Sequence, residues 1–226
     1  MTAINLRLTE TEQQHLSVGA AALGIELDAS RVRNLGRFAD MLDLWRLRVN
    51  LISCGSAREL VERHFLDSLA IAPMLPDSGA IVDLGTGAGF PGLPLAILRP
   101  RQKLVLVEVR RRRVSFLREV KRALQLSNVE ILEQRAETPP IKYEHQAESV
   151  VSRAVWSDAA ILGLAAAWLR PEGRLFWMRS EPLLEAEIAA HVMVRNRTVR
   201  YRIGSDRLRT IEIYAFPGDT QTICST

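Results

Sequence analysis

A glycine-rich loop is the part of this sequence whose residue types and spacing could most directly support chemistry. Asp83 and Gly85 begin it, and Gly87, Gly89 and Gly92 follow at short intervals. Glycines after a strand make a tight turn and let the backbone approach a ligand closely. The loop therefore predicts a cofactor-binding site. Read from Gly87, its spacing fits a dinucleotide as well as S-adenosylmethionine, so the glycines alone leave both cofactors open.

The residues around the loop favour S-adenosylmethionine. The carboxylate of Asp83 can attract the ammonium group of this cofactor, directly or through water. Glu108 is expected at the end of the next strand, where a carboxylate can accept both ribose hydroxyl protons, although dinucleotide-binding proteins share this acid. Residues 170–175, expected before a fifth strand, and the β-hairpin expected after it are typical of a class I methyltransferase. An NAD-dependent oxidoreductase is the alternative from another class.

The predicted secondary structure around the loop changes at Gly79, from helices alone to alternating strands and helices. Before it, capping-box patterns at Thr9 and Ser56 and an apolar stripe over residues 30–48 predict three helices. After it, apolar runs alternate with helical patterns, which indicates βαβ units and a parallel sheet. Strands are predicted over residues 80–84, 104–107, 129–132, from 149 onward, 175–178, 198–203 and 210–216, with Gly204, Ser205 and Asp206 in the last turn.

These patterns predict an α/β fold of the class I, Rossmann-like methyltransferase type. Its seven-stranded sheet should be mainly parallel, with an antiparallel strand from a C-terminal hairpin. Residues 1–78 are expected to form a helical N-terminal extension, and residues 79–226 the domain that binds S-adenosylmethionine. We expect the extension to pack across the mouth of the cofactor site.

Composition narrows the class of partner. The formal net charge is +4, with a net of −2 over residues 1–78 and +6 over the rest, which favours an anionic partner such as RNA. The chain has 27 arginines and 3 lysines, a bias that a G+C-rich genome would also produce. No apolar run reaches the roughly 20 residues that a membrane span needs, and no signal peptide is recognised, so we expect a cytoplasmic protein. Cys54 and Cys224 have no ligand spacing around them, so no metal site is expected.

Six motifs, in order along the chain, resemble the RsmG (GidB) family, which methylates N7 of a guanine in bacterial 16S ribosomal RNA. The combination of the Arg-His-x-x-Asp-Ser block with the glycine loop is the most specific part of the resemblance. The motifs are Trp45-x-x-x-x-Asn50-Leu51, Arg63-His64-Phe65-Leu66-Asp67-Ser68-Leu69, Asp83 to Pro94, Arg113-Val-x-Phe-Leu117, Arg135-Ala-Glu137 and Ser152-Arg153-Ala154.

The resemblance implies S-adenosylmethionine as methyl donor and S-adenosylhomocysteine as product. It implies that Gly85 and Phe90 line the cofactor beside Gly87 and Gly89, and that Glu108 holds the ribose. The segment after the third strand would meet the adenine through the Ala136 amide and the Glu137 carboxylate. Arg153 would lie at the cofactor site, near the transferred methyl group.

Guanine N7 carries a lone pair and no proton, so methylation there needs no general base and no catalytic residue is assigned. His64 and Asp67 are expected to line the site near the methyl group, and Asp67 is a candidate to stabilise the cationic product base. A purely structural role for His64 is the alternative. Cys54 lies outside the position that pyrimidine-carbon methylation requires of a nucleophile.

The expected macromolecular partner is 16S ribosomal RNA or the small ribosomal subunit, bound by a monomer. Candidate RNA-binding residues are Arg110, Arg111, Arg112, Arg179, Arg200 and Arg202. Arg46 and Arg179-Ser180 depart from the family pattern, which has Asn and Lys-Gly there, so the second departure puts an RNA contact at Arg179 in doubt. The sequence is also compatible with a small-molecule methyltransferase of the same fold and with a non-catalytic RNA-binding protein.

Overall fold

The computed structural model describes residues 5–153, 158–180, 192–204 and 207–218. Ala154 of the last motif, Ser205 and Asp206 of the predicted turn, and Cys224 lie outside these ranges. The chain forms one seven-stranded sheet in the order β3-β2-β1-β4-β5-β7-β6. The strands are β1 (Ile81–Leu84), β2 (Leu104–Glu108), β3 (Val129–Glu133), β4 (Ala147–Arg153), β5 (Leu169–Arg179), β6 (Val194–Ile203) and β7 (Arg207–Ala215).

The direction of the strands is as the sequence predicts. Strands β1 to β5 pair in parallel, whereas β7 is antiparallel to β5 and β6 is antiparallel to β7. Because β6 runs in the same direction as β5, its carboxyl end lies at the same edge of the sheet as the carboxyl ends of β1, β4 and β5. Ligands bind at this edge in open α/β sheets.

Helices cover both faces of the sheet. They are α1 (Glu10–Ala22), α2 (Ala29–Trp45), α3 (Ala57–Leu60), a π-helix (Val61–Leu66), α4 (Asp67–Leu69), α5 (Gly92–Leu98), α6 (Arg111–Ala123) and α7 (Asp158–Trp168), with short 3₁₀ turns at Ala72–Met74 and Ile141–Tyr143. Within the described residues, no helix is long and apolar enough to cross a membrane.

The helix starts follow the predicted capping residues. The amide of Thr9 donates to Glu12, and the hydroxyl of Ser56 accepts from the amide of Glu59 at 3.1 Å. The second helix begins one residue before the predicted start, because Asp28 caps it by accepting from the Arg31 amide. It ends at Trp45, so the predicted end at residue 48 was wrong by three residues.

Two local predictions fail. The third helix was expected to continue as one helix, but it widens into the π-helix over Val61–Leu66, a form that often marks functional sites. The fifth strand was expected to begin at residue 175, yet it pairs with β4 from Leu169 onward and shifts register beside Gly173. A Cβ on Gly173 would lie 2.8 Å from the Ala147 carbonyl oxygen, so this close crossing requires glycine.

The N-terminal helices share a hydrophobic core with the glycine loop. The ring of Phe38 on α2 has its centroid 5.7 Å from that of Phe65 in the π-helix and 5.2 Å from that of Phe90 in the loop. It also packs against Phe116 of α6. All four rings are buried. This packing holds the π-helix against the loop.

Candidate functional site

The glycine loop connects β1 to α5 through backbone conformations that suit glycine alone. Gly85, Gly87 and Gly89 have φ values of +70°, +60° and +94°, which side chains rarely tolerate. A Cβ on Gly89 would also lie 2.3 Å from the Leu93 side chain. The loop is therefore a compact turn, as its glycines predict, in which Gly85 and Gly87 are half-buried.

Asp83 lies beneath this loop. It is fully buried, and its Oδ2 accepts hydrogen bonds from the Thr86 hydroxyl at 2.6 Å and from the Gly92 amide at 2.8 Å. Burial raises the pKa of this carboxyl to about 6, although both hydrogen bonds favour the ionised form. Among the described residues, its Oδ1 has no partner. Asp83 therefore connects the two ends of the loop. Any attraction between its carboxylate and the ammonium group of the cofactor would act through the loop, from its buried side.

A cavity of about 200 Å³ opens beside the loop and contains the predicted ribose acceptor. Glu108 is almost buried at the end of β2; its Oε1 accepts from the Arg110 amide at 2.8 Å, and its Oε2 lies 3.6 Å from Arg113 Nη1. A carboxylate offers about four acceptor positions, so two are left for ribose hydroxyls. The cavity is lined by Gly85, Val107, Glu108, Val109, Arg110, Arg113, Gln134, Arg135, Ala136 and Glu137.

The far wall of this cavity contains the predicted adenine contacts. The carbonyl of Ala136 accepts from Trp168 Nε1 at 2.8 Å, which leaves its amide as the backbone group that can serve a ligand. Glu137 is exposed at the rim, with its carboxylate 3.7 Å from Arg135. A buried glutamate for the ribose, a backbone amide and carboxylate for the base, and a glycine turn together fit the adenosine part of S-adenosylmethionine.

A second cavity, of about 240 Å³, lies where β4 and β5 end. Four arginines and one acid line it among the described residues, so its electrostatic character is basic. The lining residues are Arg63, His64, Asp67, Arg153, Met178, Arg179, Ser180, Tyr201 and Arg209. The sequence predicted four of them as site residues.

Arg153 is at the centre of this second cavity. Its Nη1 donates to the Arg63 carbonyl and to Asp67 Oδ2, both at 3.2 Å, and its guanidinium carbon lies 5.1 Å from the centre of the Phe90 ring. The Phe90 ring is buried and also faces His64 at 5.0 Å between centroids. Its ring therefore lies below the second cavity instead of lining the first, because it is large and apolar and packs into the aromatic core.

His64 is held in one protonation state. Its Nδ1 lies 3.2 Å from Arg153 Nη2, and since a guanidinium can only donate, Nδ1 must be an acceptor and the ring neutral. Burial, followed by the charges of Arg153 and Arg63, lowers the pKa of His64 to about 3. His64 is therefore a poor proton acceptor near neutral pH, in agreement with a reaction that needs no general base.

Asp67 is bonded on both of its carboxylate oxygens. Oδ2 accepts from Arg153, whereas Oδ1 accepts from the Tyr201 hydroxyl at 2.8 Å and lies 3.8 Å from Arg209 Nε. Asp67 is almost buried, so these partners compensate its charge within the protein. This arrangement differs from the expected role of Asp67 as a free carboxylate beside the substrate base.

The predicted RNA-binding arginines do not form one patch. Arg110, Arg111 and Arg112 are exposed at the start of α6, whereas Arg200 and Arg202 are exposed on the edge strand β6. Four strands separate β2 from β6 in the sheet, a distance of about 24 Å at the usual strand spacing. Arg179 lies in between, in the second cavity, with its guanidinium 4.1 Å from the centre of the Trp177 ring.

Ten lining residues of the two cavities were not predicted as site residues, and Arg63, Arg113, Tyr201 and Arg209 are among them. Arg63 and Arg113 stand inside motifs of the resemblance, so the signal was present but their roles were not assigned. Tyr201 and Arg209 carried no signal, because they are an ordinary strand tyrosine and one of several arginines in the hairpin. The described residues include no group of three or more His, Cys, Asp or Glu side chains that could hold a metal ion.

The sheet order, the glycine turn and the acid at the end of β2 define a class I, Rossmann-like methyltransferase. The fold is similar to that of TrmN from Thermus thermophilus, with a TM-score of 0.54 and 16% identity over 69% of this chain and 53% of that one. It is also similar to a SAM-dependent methyltransferase from Aquifex aeolicus, with a TM-score of 0.51 and 16% identity over 78% of this chain and 96% of that one.

The family follows from sequence. The model of the GidB family, described as rRNA small subunit methyltransferase G, matches residues 31–203. The chain is 41% identical to the ribosomal RNA small subunit methyltransferase G of Desulfotalea psychrophila, over 82% of this chain and 89% of that protein. It is 36% identical to the protein of the same name from Myxococcus xanthus, over 83% and 87%. The chain belongs to this family and is an S-adenosylmethionine-dependent methyltransferase, which excludes the oxidoreductase alternative.

Proposed function

We propose that this protein transfers the methyl group of S-adenosylmethionine to N7 of a guanine in 16S ribosomal RNA, within the small ribosomal subunit. The observation that carries the proposal is the basic cavity around Arg153, in which His64 is held neutral and both oxygens of the Asp67 carboxylate are bonded to protein groups. The names of the relatives from D. psychrophila and M. xanthus, both ribosomal RNA small subunit methyltransferases, support the substrate class.

The first cavity holds the cofactor in this proposal. Glu108 accepts the ribose hydroxyl protons, and the Ala136 amide and the Glu137 carboxylate meet the adenine. Asp83 keeps the glycine turn closed through Thr86 and Gly92. When bound, S-adenosylmethionine supplies an electrophilic methyl group on a sulfonium. The protein then contributes mainly by positioning the two reactants in line.

The second cavity holds the target nucleotide. Guanine N7 reacts through its lone pair, so the side chains around it need to orient the base and exclude water, not to remove a proton. Arg153 is a hydrogen-bond donor in this cavity, and it is held there by the Asp67 carboxylate and by the neutral ring of His64. In this proposal Asp67 acts by holding Arg153 in place, and it does not stabilise the cationic base directly.

The remaining arginines would guide the RNA. Arg63 and Arg209 line the second cavity and are suited to the phosphates of the target nucleotide. Arg110–Arg112 and the exposed arginines of β6 extend a basic edge on either side of it. We also infer that residues 1–78 form the extension and 79–226 the cofactor domain, and that the protein acts as a monomer in the cytoplasm.

Transfer of labelled methyl groups tests the proposal. Purified protein and labelled S-adenosylmethionine are incubated with small subunits, and separately with naked 16S RNA, both isolated from a strain that lacks this methylation. We expect the label in one guanine, detected by the strand scission that N7-methylguanine undergoes after reduction and aniline treatment. Label on another base atom, or efficient transfer only to small molecules in a cell extract, would refute the proposal in favour of another substrate.

A further inference from the structure

Strand β6 of the C-terminal hairpin has two different faces. On β6, Tyr201 points towards the π-helix and its hydroxyl bonds Asp67. Side chains alternate along a strand, so Arg200 and Arg202 point to the opposite face, where both are exposed. One strand therefore combines an outward basic face with an inward contact to the substrate cavity.

The inward contact is specific to one carboxylate oxygen. Tyr201 bonds Asp67 Oδ1 at 2.8 Å, whereas Arg153 bonds Oδ2 of the same carboxylate at 3.2 Å. Arg209 also faces Oδ1, but at 3.8 Å, beyond hydrogen-bond distance. Removing the Tyr201 hydroxyl would leave Asp67 free to turn towards Arg209. That rotation would draw Oδ2 away from Arg153.

We propose that Tyr201 is a positioning residue for methyl transfer: its hydroxyl orients Asp67, and Asp67 in turn holds Arg153 over Phe90 in the second cavity. The proposal rests on the proposed function. Tyr201 belongs to the strand that carries the exposed arginines. RNA bound to β6 would therefore be connected to Arg153 through Tyr201 and Asp67. Burial and the charge of Asp67 both raise the pKa of Tyr201, so the hydroxyl keeps its proton and remains a donor.

A second contact fixes the same hairpin. Gly204, at the end of β6, has a positive φ of +66°, and a Cβ there would lie 2.8 Å from Glu62 Oε2 in the π-helix. The tip of the hairpin is therefore packed directly against the helix that carries His64 and leads into Asp67. Two contacts hold β6 in register with this helix, so the hydroxyl of Tyr201 has a defined position relative to Asp67.

The test is Tyr201→Phe, which removes the hydroxyl and keeps the ring. We expect the single-turnover rate of methyl transfer to small subunits to fall roughly 10- to 100-fold, the scale of a misplacement of about 1 Å. The Kd for S-adenosylmethionine and the thermal midpoint should stay close to those of the wild type. Tyr214→Phe is the matched control, because it removes a buried tyrosine hydroxyl bonded to Glu212 on the neighbouring strand.

A double-mutant cycle separates positioning from general stability. In an Asp67→Asn background, Tyr201→Phe should lower the rate by less than about twofold, since its effect passes through Asp67. A wild-type rate in Tyr201→Phe, equal losses in Tyr214→Phe, or a full additional loss in the Asp67→Asn background would each overturn the inference. If Tyr201→Phe does not fold, a wild-type rate in Asp67→Asn alone would also overturn it. Failure of the wild type to methylate subunits would instead overturn the proposed function.

Discussion

The two cavities are built in different ways. The cofactor cavity takes its lining from the ends of three adjacent strands, β1, β2 and β3, and the loops that follow them. The substrate cavity takes its lining from the π-helix, β4, β5 and the hairpin, and its bond between Tyr201 and Asp67 joins residues 134 positions apart. The residues proposed to bind the cofactor therefore come from short segments after neighbouring strands, whereas those proposed to bind the substrate are brought together by the assembled fold.

This difference predicts separate consequences for variants in each cavity. A change in the first should weaken cofactor binding, and a change in the second should slow transfer while cofactor binding is preserved. Phe90 is where the separation could fail, because it belongs to the glycine loop and supports both Arg153 and His64.

The largest effect is expected from Arg153→Ala. This change removes the donor at the centre of the substrate cavity, and the single-turnover rate should fall by at least roughly 100-fold because the base is no longer oriented. The Kd for S-adenosylmethionine, measured by calorimetry, should change less than about threefold. Arg170→Ala is the control, since Arg170 is bonded to Glu148 at 2.6 Å on a different part of β5. A matching loss of cofactor affinity would show that the two cavities are not separable.

Glu108→Gln should produce the opposite pattern. Replacing the carboxylate removes charge-assisted hydrogen bonds to the ribose, which costs about 2–3 kcal/mol of binding, or roughly 30- to 150-fold in the Kd for S-adenosylmethionine. At saturating cofactor the transfer rate should be nearly unchanged. Glu133→Gln is a matched control, because Glu133 is the register partner of Glu108 on β3 and bonds Arg118 on its outer side. Unchanged affinity in Glu108→Gln would contradict the assignment of this cavity.

The pH dependence of folding should also distinguish His64, which lines the second cavity, from Asp83, which is buried beneath the glycine loop. The pKa of His64 is lowered to about 3 from 6.5, so the unfolded chain takes up its proton first as the pH falls, and stability is lost below pH 6.5. At pH 5 this loss amounts to about 2 kcal/mol. The pKa of Asp83 is raised to about 6 from 3.8, so the folded protein takes up that proton first and gains about 1 kcal/mol between pH 7 and pH 5.

Urea unfolding of two variants at pH 7 and pH 5 checks these opposite signs. His64→Gln should become more stable relative to the wild type on going to pH 5, since it lacks the histidine that must stay neutral. Asp83→Asn should become less stable relative to the wild type over the same range. If the free energies of unfolding of both variants, relative to the wild type, changed in the same direction, the protonation state assigned to His64 or to Asp83 would be wrong.

The sequence predicted most of the fold, and it named four of the residues that line the first cavity, Gly85, Glu108, Ala136 and Glu137, as cofactor contacts. The glycines, Asp83 and Glu108 are close together in the chain, and their backbone and strand-end positions follow from local rules. The mainly parallel seven-stranded sheet with its antiparallel hairpin followed from alternating apolar runs, whereas the order of the strands was not predicted. The length of β5 was underestimated because Pro171 and Gly173 interrupt its apolar pattern, although pairing with β4 continues past a register shift.

The substrate cavity was only partly predictable. Arg153, His64 and Asp67 came from a family resemblance, and their mutual bonds could not be read from spacing. Tyr201 could not be distinguished from any strand tyrosine, since its partner Asp67 is brought near by the fold alone. The π-helix was also invisible, because buried Val61, Phe65 and Leu66 fit the stripe of an α-helix equally well.

The smallest effect is expected for the exposed arginines of β6. Arg200→Ala and Arg202→Ala should each weaken binding of small subunits by about 3- to 5-fold near physiological salt. Each should also lower the slope of log affinity against log salt by roughly 0.7–0.9, the value of one phosphate contact. Neither should change the single-turnover rate at saturation, because both side chains lie on the face opposite Tyr201. Arg122→Ala, an exposed arginine bonded to Glu119 on α6, is the control. A reduced rate at saturation would instead mean that the outward face of β6 enters the chemistry, and that the substrate cavity extends around the strand.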